Sequence, residues 1–159
     1  MSRFSMLSIE KVLKLFGESP LSEAFHLSGI LIATKEEPFI NLFTLDHYCI
    51  VLICSGTSAI QINAKTYHLD SGDMLTISPG SINKMLSASE TLKFRIVSFE
   101  SDYLLKLPIN HKNSASFVFF TSREAFLFRL AKLEFKVIYD LLEFVKAKKK
   151  KLVITSRPR

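Results

Sequence analysis

The stretch Tyr67–Gly80, YHLDSGDMLTISPG, decides the fold of this chain. Its centre, Met74–Ser78, is rich in residues that favour β-structure, and Ser71-Gly72-Asp73 and Pro79-Gly80-Ser81 provide turn residues on both sides. The same succession of short strand and turn continues in both directions along the chain, which is typical of an antiparallel sandwich or barrel. Seven runs are predicted as strands: Ile30–Ala33, Phe39–Leu45, Tyr48–Cys54, Ala59–Asn63, Thr66–Leu69, Met74–Ser78 and Leu92–Phe99.

Helical spacing of apolar residues appears on both sides of the strand region. Ile9–Phe16 predicts a short helix, Ser101–Leu107 predicts a second one, and Phe117–Phe120 could form a last short strand. From Ser122 to about Lys148 the apolar residues recur every three or four positions, which predicts one or two helices with an apolar stripe along one face. The stripe consists of Phe126, Leu130, Leu133, Val137, Leu141 and Val145.

We therefore expect an α+β chain, mainly β, in three parts. Residues 1–121 form the barrel with its N-terminal helix, residues 122–148 form the helical segment, and residues 149–159 form a basic, disordered tail. The stripe is broad enough to cover the barrel and still leave apolar surface for a second copy, so a homodimer is expected. The alternative is that both flanks of the helical segment pack on the barrel and that the chain is a monomer.

The formal net charge of +6 comes from the end of the chain. Seven basic residues and no acidic residue follow Val145, whereas residues 1–145 carry 14 basic and 15 acidic residues. A nearly neutral barrel argues against a broad phosphate-binding face.

Charged residues interrupt any N-terminal signal peptide, and the longest apolar run, Tyr48–Cys54, is too short for a membrane helix. We expect a cytoplasmic protein without membrane contact, with Cys49 and Cys54 as free thiols on opposite strand faces.

Three segments together resemble a known family: Tyr48–Gly56 (YCIVLICSG), Ile60–Asn63 (IQIN) and Tyr67–Gly80 (YHLDSGDMLTISPG). They are similar to the cupin barrel that begins AraC-type transcription regulators, over residues 25–145 of this chain. The most specific feature is Gly72-Asp73 followed by Pro79-Gly80. The resemblance implies a cupin-like antiparallel barrel, a double-stranded β-helix, that binds a small effector and pairs with a second copy through its C-terminal helices.

Members of this family normally continue into two helix-turn-helix units that bind DNA. We expect these units to lie outside the 159 residues, so that DNA is bound only through a further C-terminal domain. The chain alone is then expected to have no sequence-specific DNA affinity. A frameshift or a truncation at the lysine run Lys148–Lys151 is the hypothesis for this end of the sequence.

Enzymatic cupins bind a metal through histidines and a glutamate, and the resemblance places Leu45, Cys49 and Asn83 at three of those ligand positions. His47 lies two residues from the position of an expected histidine. These side chains make a poor site, because iron, manganese and zinc need three or four good ligands held together. We expect no tightly bound metal, no cofactor and no catalytic residue, and therefore a protein that is not an enzyme.

A ligand inside the barrel would contact side chains that share the inward parity of the central strand. The predicted lining residues are Leu45, His47, Cys49 and Val51. Asn83 is expected near the mouth, and Arg95 is expected to face solvent or else to reach an anionic ligand. This mixed lining suits a small organic effector, whose identity the residues do not specify.

The leading hypothesis is an effector-sensing and dimerisation domain of an AraC-type transcription regulator. A second hypothesis is a stand-alone cupin enzyme, an isomerase or an oxygenase, which the missing metal ligands disfavour. A third is a barrel that only dimerises and has lost ligand binding.

Overall fold

The computed structural model describes residues 5–19, 25–32, 39–106 and 124–155. Within these ranges the chain forms short strands and three helices. The strands are β1 (Ser5–Leu7), β2 (Phe25–Leu27), β3 (Leu31–Ile32), β4 (Phe43–Leu45), β5 (Tyr48–Ser55), β6 (Ser58–Ile62), β7 (Lys65–Leu69), β8 (Asp73–Ile77), β9 (Asn83–Ala88), β10 (Lys93–Phe99) and β11 (Leu127–Arg129). The helices are α1 (Ile9–Leu15), α2 (Ser101–Lys106) and α3 (Lys132–Thr155).

The strands form two sheets that face each other. The five-stranded sheet has the order β1-β4-β9-β6-β7, and the six-stranded sheet has the order β11-β8-β5-β10-β2, with β3 paired to β10. Only β1 with β4 is parallel among the described pairings. The expected cupin-like, mainly antiparallel fold is confirmed, in the form of two facing sheets. We call this pair of sheets the sandwich.

The hydrophobic core lies between the two sheets. Leu45 and Ile62 from the five-stranded sheet meet Leu75 and Ile96 from the six-stranded sheet, and each is at least 95% buried. Burial of one such side chain stabilises the fold by about 1.5–3 kcal/mol. The core therefore fixes which face of each strand points inward, because a slip of one residue would turn these side chains to solvent.

Helix α1 packs at one end of the sandwich. The Ser8 hydroxyl accepts a hydrogen bond from the backbone N–H of Lys11 at 3.2 Å and so caps the helix N-terminus. Val12 and Leu13 are buried on the side that faces the core. This helix confirms the prediction of a short helix at Ile9–Phe16.

The predicted strands are confirmed over most of their lengths, with two exceptions. In Ile30–Ala33 only Leu31–Ile32 is a strand, and Ala33 lies outside the described residues. In Phe39–Leu45 only Phe43–Leu45 is a strand, and Phe39 and Ile40 lie in a turn. The sequence does not predict β1, β2 or β9, because the first two have only three residues and β9 mixes polar with apolar side chains. The predicted strand at Phe117–Phe120 lies outside the described residues.

The prediction of one or two helices from Ser122 to about Lys148 is wrong for residues 127–129. Leu127–Arg129 form β11, which pairs with β8 at the edge of the six-stranded sheet. The backbone of Phe126 both donates to Thr76 Oγ1 at 2.9 Å and accepts from Thr76 N at 3.0 Å. Phe126 and Leu130 therefore flank a strand and do not belong to a helical stripe. Their spacing fits a helix, but the unpaired edge of β8 satisfies their backbone groups instead.

Helix α3 begins at Lys132 and extends to Thr155, beyond the predicted end at Lys148. Glu134 accepts a hydrogen bond from the N–H of Ala131 at 2.8 Å, which stabilises the first turn. The expectation of a disordered tail from residue 149 is therefore wrong up to residue 155. No helix of the described residues has both the length and the apolar character needed to cross a membrane.

Candidate functional site

A cavity of about 110 Å³ lies between the two sheets. Strands β4, β6, β7 and β9 contribute to one wall and β5, β8 and β10 to the other. Val12 of α1 and Phe16, which follows the helix, also line the cavity. The wall is apolar except for the imidazole of His47, the thiol of Cys49 and the hydroxyl of Ser58. Since the Ser58 hydroxyl donates to the Ser87 carbonyl at 2.8 Å, it is already paired within the protein.

The three central strands of the six-stranded sheet bring one row of side chains to the cavity. Val51 of β5 lies opposite Leu75 of β8 and opposite Ile96 of β10. All three residues line the cavity, as the inward parity requires. The structure also places Leu45, His47 and Cys49 on the wall, so the four residues predicted to share one lining do so. Their contact with a ligand stays a prediction.

Four phenylalanine rings surround one part of the cavity. Phe16 stacks on Phe39 with ring centroids 5.4 Å apart and meets Phe94 edge-on at 5.5 Å. Phe43 meets Phe39 edge-on at 5.3 Å. Such clusters present both ring faces and ring edges, which favours an aromatic or aliphatic ligand over a polar one.

His47 is fully buried beside this apolar wall. Its Nδ1 lies 2.8 Å from Asp46 Oδ1, and its Nε2 is buried without a hydrogen-bond partner among the described residues. The side chain is fully buried, whereas that of Asp46 is half exposed. The carboxylate can only accept, so Nδ1 carries the proton, and Nε2 keeps a free lone pair in neutral histidine.

The protonation state of His47 follows from its burial. Burial lowers the pKa of His47, and the nearby carboxylates of Asp46 and Glu100 oppose that shift only in part. Because the charged form is disfavoured, the imidazole is neutral at neutral pH. The unpaired Nε2 is then a hydrogen-bond acceptor.

The residues at the cupin metal positions do not fit a metal. Burial raises the pKa of the Cys49 thiol to about 12, against an opposing effect of the Ser98 hydroxyl, so the thiol keeps its proton. Leu45 has no donor atom, and Asn83 is not part of the cavity wall. Among the described residues, no three histidine, cysteine, aspartate or glutamate side chains are grouped to hold a metal ion.

Asn83 is not at a cavity mouth, where it was expected. It is completely buried in the five-stranded sheet, and its Nδ2 donates to the carbonyls of Phe43 and Ser81 at 3.3 and 3.1 Å. Its amide thus satisfies the backbone beside β4. The alternation of side chains along a strand could not predict the position of Asn83, because β9 itself was not predicted.

Arg95 faces neither solvent nor the cavity, and the prediction for this residue is wrong. Its side chain is fully buried on the outer face of β10, where Nε and Nη2 donate to the Ser28 carbonyl at 3.2 and 2.9 Å. Nη1 donates to Glu143 Oε1 of α3 at 2.7 Å. The guanidinium also lies over the Tyr139 ring, with Cζ 5.0 Å from the centroid. Arg95 therefore joins the sandwich to α3.

Helix α3 keeps an exposed apolar stripe on the side away from Arg95. Leu133, Val137, Leu141 and Phe144 are 73%, 59%, 57% and 61% exposed. Val145, predicted in the same stripe, is half-buried, as are Ile138 and Leu142. Since the two sides of the helix differ in this way, one side faces the sandwich and the other is exposed.

Sequence reasoning missed the contribution of α1 and of the phenylalanines to the cavity. The helical spacing at Val12 and Phe16 indicates a buried face, but not which wall that face joins. Tyr139 and Glu143 were also missed as partners of Arg95. Their spacing of four residues on one helix face is the signal that could have indicated a shared contact.

A family model described as the AraC-like ligand binding domain matches residues 36–133 of this chain. No curated protein sequence matches the chain significantly.

Solved structures with a similar fold include ToxT from Vibrio cholerae. ToxT in a P21 crystal form is 11% identical, with a TM-score of 0.50 over 75% of this chain and 47% of ToxT. ToxT from strain O395 bound to (E)-4-(8-methylnaphthalen-1-yl)but-3-enoic acid is 12% identical, with a TM-score of 0.50 over 77% of this chain and 48% of ToxT. A cupin protein from Bacteroides fragilis is 23% identical, with a TM-score of 0.42 over 55% of this chain and 72% of that protein. The ToxT likeness concerns the fold, and the chain spans about half of the length of ToxT.

Proposed function

The chain belongs to the AraC-like ligand-binding domain family, whose model matches residues 36–133, and on this basis we propose that it senses a small effector for a transcription regulator. The effector binds in the cavity between the sheets. The observation that carries the proposal is the apolar cavity of about 110 Å³ between the two sheets. Protein interiors are normally close-packed, so a cavity of this size favours a site that a ligand fills.

In this proposal the chain binds its ligand without transforming it. The side chains at the cupin metal positions are a leucine, a protonated thiol and an amide already bonded to backbone carbonyls. A metal-dependent isomerase or oxygenase would need better ligands. The donor set therefore supports a sensor rather than a stand-alone cupin enzyme.

Strand β10 provides the route from the cavity to α3. Phe94 and Ile96 line the cavity, and Arg95 between them points to the opposite face and binds Glu143. A ligand that prefers one position of β10 also selects the matching position of α3, because the two are joined at Arg95. Ligand binding thereby shifts the population of helix arrangements.

We propose that a second copy of the chain covers the exposed stripe of Leu133, Val137, Leu141 and Phe144. Two such stripes are self-complementary about a two-fold axis.

DNA contacts belong to a helix-turn-helix domain rather than to the sandwich, since residues 1–145 carry nearly equal numbers of acidic and basic residues. Two free cysteines suit the reducing cytoplasm, which is the proposed location.

Thermal unfolding in the presence of toluene tests ligand binding in the cavity. Toluene is a little larger than benzene, which binds in an apolar cavity of about 150 Å³ in another protein. We expect toluene to raise the Tm of the wild type, because it binds the folded chain and not the unfolded one. Val51→Trp fills the cavity and should abolish the increase.

The matched control is Thr66→Trp, on the exposed part of the edge strand β7. It adds the same indole outside the cavity and should keep the response of the wild type. An equal response of all three proteins would show that toluene binds elsewhere, and no response of the wild type would reject the cavity as a ligand site.

A further inference from the structure

We propose that the cavity recognises a small uncharged arene without a polar substituent, such as benzene or toluene, through contacts with carbon atoms of the wall. The inference rests on the proposed function, because it names the chemical class of the ligand that the sensor binds. In this proposal a phenol or a carboxylic acid of the same ring size is rejected.

The polar side chains that border the cavity are engaged within the protein. The Ser58 hydroxyl donates to the Ser87 carbonyl at 2.8 Å. His47 is held by Asp46 through Nδ1 at 2.8 Å, and its whole side chain, with Nε2, is fully buried. Burial also lowers the pKa of His47, so the ring is uncharged at neutral pH. Cys49 is a buried, protonated thiol, which behaves as a small hydrophobic group.

The arginine of strand β10 is turned away from the cavity. Phe94 and Ile96 line the cavity, whereas the guanidinium of Arg95 between them lies on the outer face of the strand. There it donates to the Ser28 carbonyl at 3.2 and 2.9 Å and to Glu143 at 2.7 Å. An anion in the cavity would therefore lose its hydration without a partner from this strand, which is costly.

The surface that the cavity presents to a ligand is carbon from both sheets. Val51, Leu75 and Ile96 lie side by side across three neighbouring strands of the six-stranded sheet. Leu45 and Ile60 contribute from the five-stranded sheet. A ligand gains free energy in such a wall in proportion to the apolar area that it removes from water. A hydroxyl or carboxylate on the ligand would instead be buried without a hydrogen bond.

The phenylalanine rings of the wall favour an aromatic ligand. Phe16, Phe39, Phe43 and Phe94 meet one another stacked or edge-on, with ring centroids between 5.3 and 5.5 Å apart. All four line the cavity. A further ring can join such a cluster in the same geometries, and aromatic pairs contribute more than the burial of their area alone.

The volume of the cavity limits the ligand to about one ring. It measures about 110 Å³, and an apolar cavity of about 150 Å³ in another protein binds benzene. A single six-membered ring with few substituents therefore suits this space.

Calorimetric titration of the full chain with benzene, cyclohexane, phenol and benzoate tests the inference. We expect benzene to bind most tightly. Phenol should bind about tenfold more weakly, because its hydroxyl is buried without a partner, and benzoate should give no detectable binding, because its charge is buried. Cyclohexane should bind about threefold more weakly than benzene, because it is thicker and lacks aromatic faces.

Two controls connect the binding to the cavity. Val51→Trp fills the space and should abolish the binding of benzene, whereas Thr66→Trp adds the same indole on the exposed part of β7 and should preserve it. Should Val51→Trp fail to fold, methyl NMR of the wild type gives a second readout. The ring current of benzene should shift the methyl signals of Leu75 and Ile96, and it should not shift those of Ile32, which is 67% exposed on β3.

The outcomes separate this inference from the proposed function. If phenol, benzoate or cyclohexane binds in the cavity as tightly as benzene or more tightly, the inference is overturned and the cavity remains a ligand site. If none of the four compounds binds, or if benzene shifts no methyl signal of the wall, the proposed function itself is rejected.

Discussion

The guanidinium of Arg95 donates to the carboxylate of Glu143 across 2.7 Å, from the outer face of β10 to helix α3. The two partners differ in environment, because Arg95 is fully buried and the Glu143 side chain is 53% exposed. The carbonyl of Ser28 and the ring of Tyr139 complete the surroundings of the guanidinium. A buried charge with one carboxylate partner makes this contact sensitive to the position of the helix.

Glu143→Gln is expected to destabilise the fold by about 2 kcal/mol. The change removes the only carboxylate that the described contacts bring to Arg95, and the buried guanidinium keeps only neutral partners: the new amide oxygen, the Ser28 carbonyl and the Tyr139 ring. The half-exposed position of Glu143 keeps the effect below that of a fully buried pair. Urea unfolding followed by circular dichroism measures the change.

Asp140→Asn is the control for this pair, because Asp140 is an exposed carboxylate on the same helix. It should change the free energy of unfolding by less than about 0.5 kcal/mol. Arg95→Met in the wild type and in Glu143→Gln completes a double-mutant cycle. If Glu143→Gln costs no more than Asp140→Asn, the ion pair does not hold α3 on the sandwich.

Leu141→Glu should convert a dimer into a monomer. Leu141 lies in the middle of the exposed stripe, and a carboxylate there would be buried without a partner in the interface. Light scattering after size exclusion, at tens of micromolar chain, gives the mass. Lys136→Glu makes a larger charge change at an exposed position outside the stripe and should leave the dimer intact. A wild type of monomer mass would contradict the dimer.

His47 should make the stability depend on pH. Its pKa is lowered in the folded state, so the unfolded chain takes up a proton first as the pH falls below about 6.5. The free energy of unfolding is therefore unaffected by His47 above that pH, and it decreases as the pH falls towards the folded-state pKa. Urea unfolding between about pH 7.5 and pH 5.5 should show a smaller decrease for His47→Phe than for the wild type. His68→Phe, at an exposed position, serves as the comparison. If the free energy of unfolding changes with pH equally in His47→Phe and in the wild type, His47 is not the cause of the pH dependence.

The two cysteines should differ in their reaction with a thiol reagent. Burial raises the pKa of Cys49 to about 12, so almost no thiolate forms in the folded chain. Cys54 is half-buried, and Arg95 partly offsets the effect of burial on its pKa. Ellman's reagent should therefore modify Cys54 first, and Cys54→Ser should react only after denaturation. Rapid reaction of native Cys54→Ser would show that Cys49 is accessible.

Gly56 is expected to tolerate no side chain in the turn between β5 and β6. Its φ is +77°, and an added Cβ would lie 2.5 Å from Leu92 N and 2.6 Å from Leu92 Cα. Gly80→Ala is the matched control, since φ is +79° there and no atom lies within 4 Å of the added carbon. Gly80→Ala should cost about 1–2 kcal/mol from backbone conformation alone, and Gly56→Ala about 1–3 kcal/mol more. If Gly56→Ala and Gly80→Ala unfold with the same urea midpoint, the close contact with Leu92 is not supported.

Strand parity was sufficient to predict much of the cavity. Cys49 and Val51 alternate along β5, so the burial of one of them on the inner face places the other there too. Leu45 lines the cavity from β4 of the opposite sheet, which strand parity along β5 does not explain. The turns at Gly72 and Gly80 separate the strands and make the run of short elements visible in the sequence. These are local properties, which a single chain segment determines.

Contacts between distant segments could not be predicted in the same way. Parity placed Arg95 on the outer face, but its burial depends on α3, about fifty residues later in the chain. Leu127–Arg129 have the spacing of a helix, yet the free edge of β8 makes them a strand. In both cases tertiary partners override a local pattern.

Val12 of helix α1 and Phe16, the residue that follows the helix, line the cavity from outside the hydrogen-bonded ladders of the sheets. The register of the strands is fixed by their own backbone pairing, so substitutions at these two positions alter the shape of the space and spare the scaffold. A biosensor could therefore be engineered from a small library in which only Val12 and Phe16 are varied. New ligand preferences would be selected while the sequence of the β-strands stays constant.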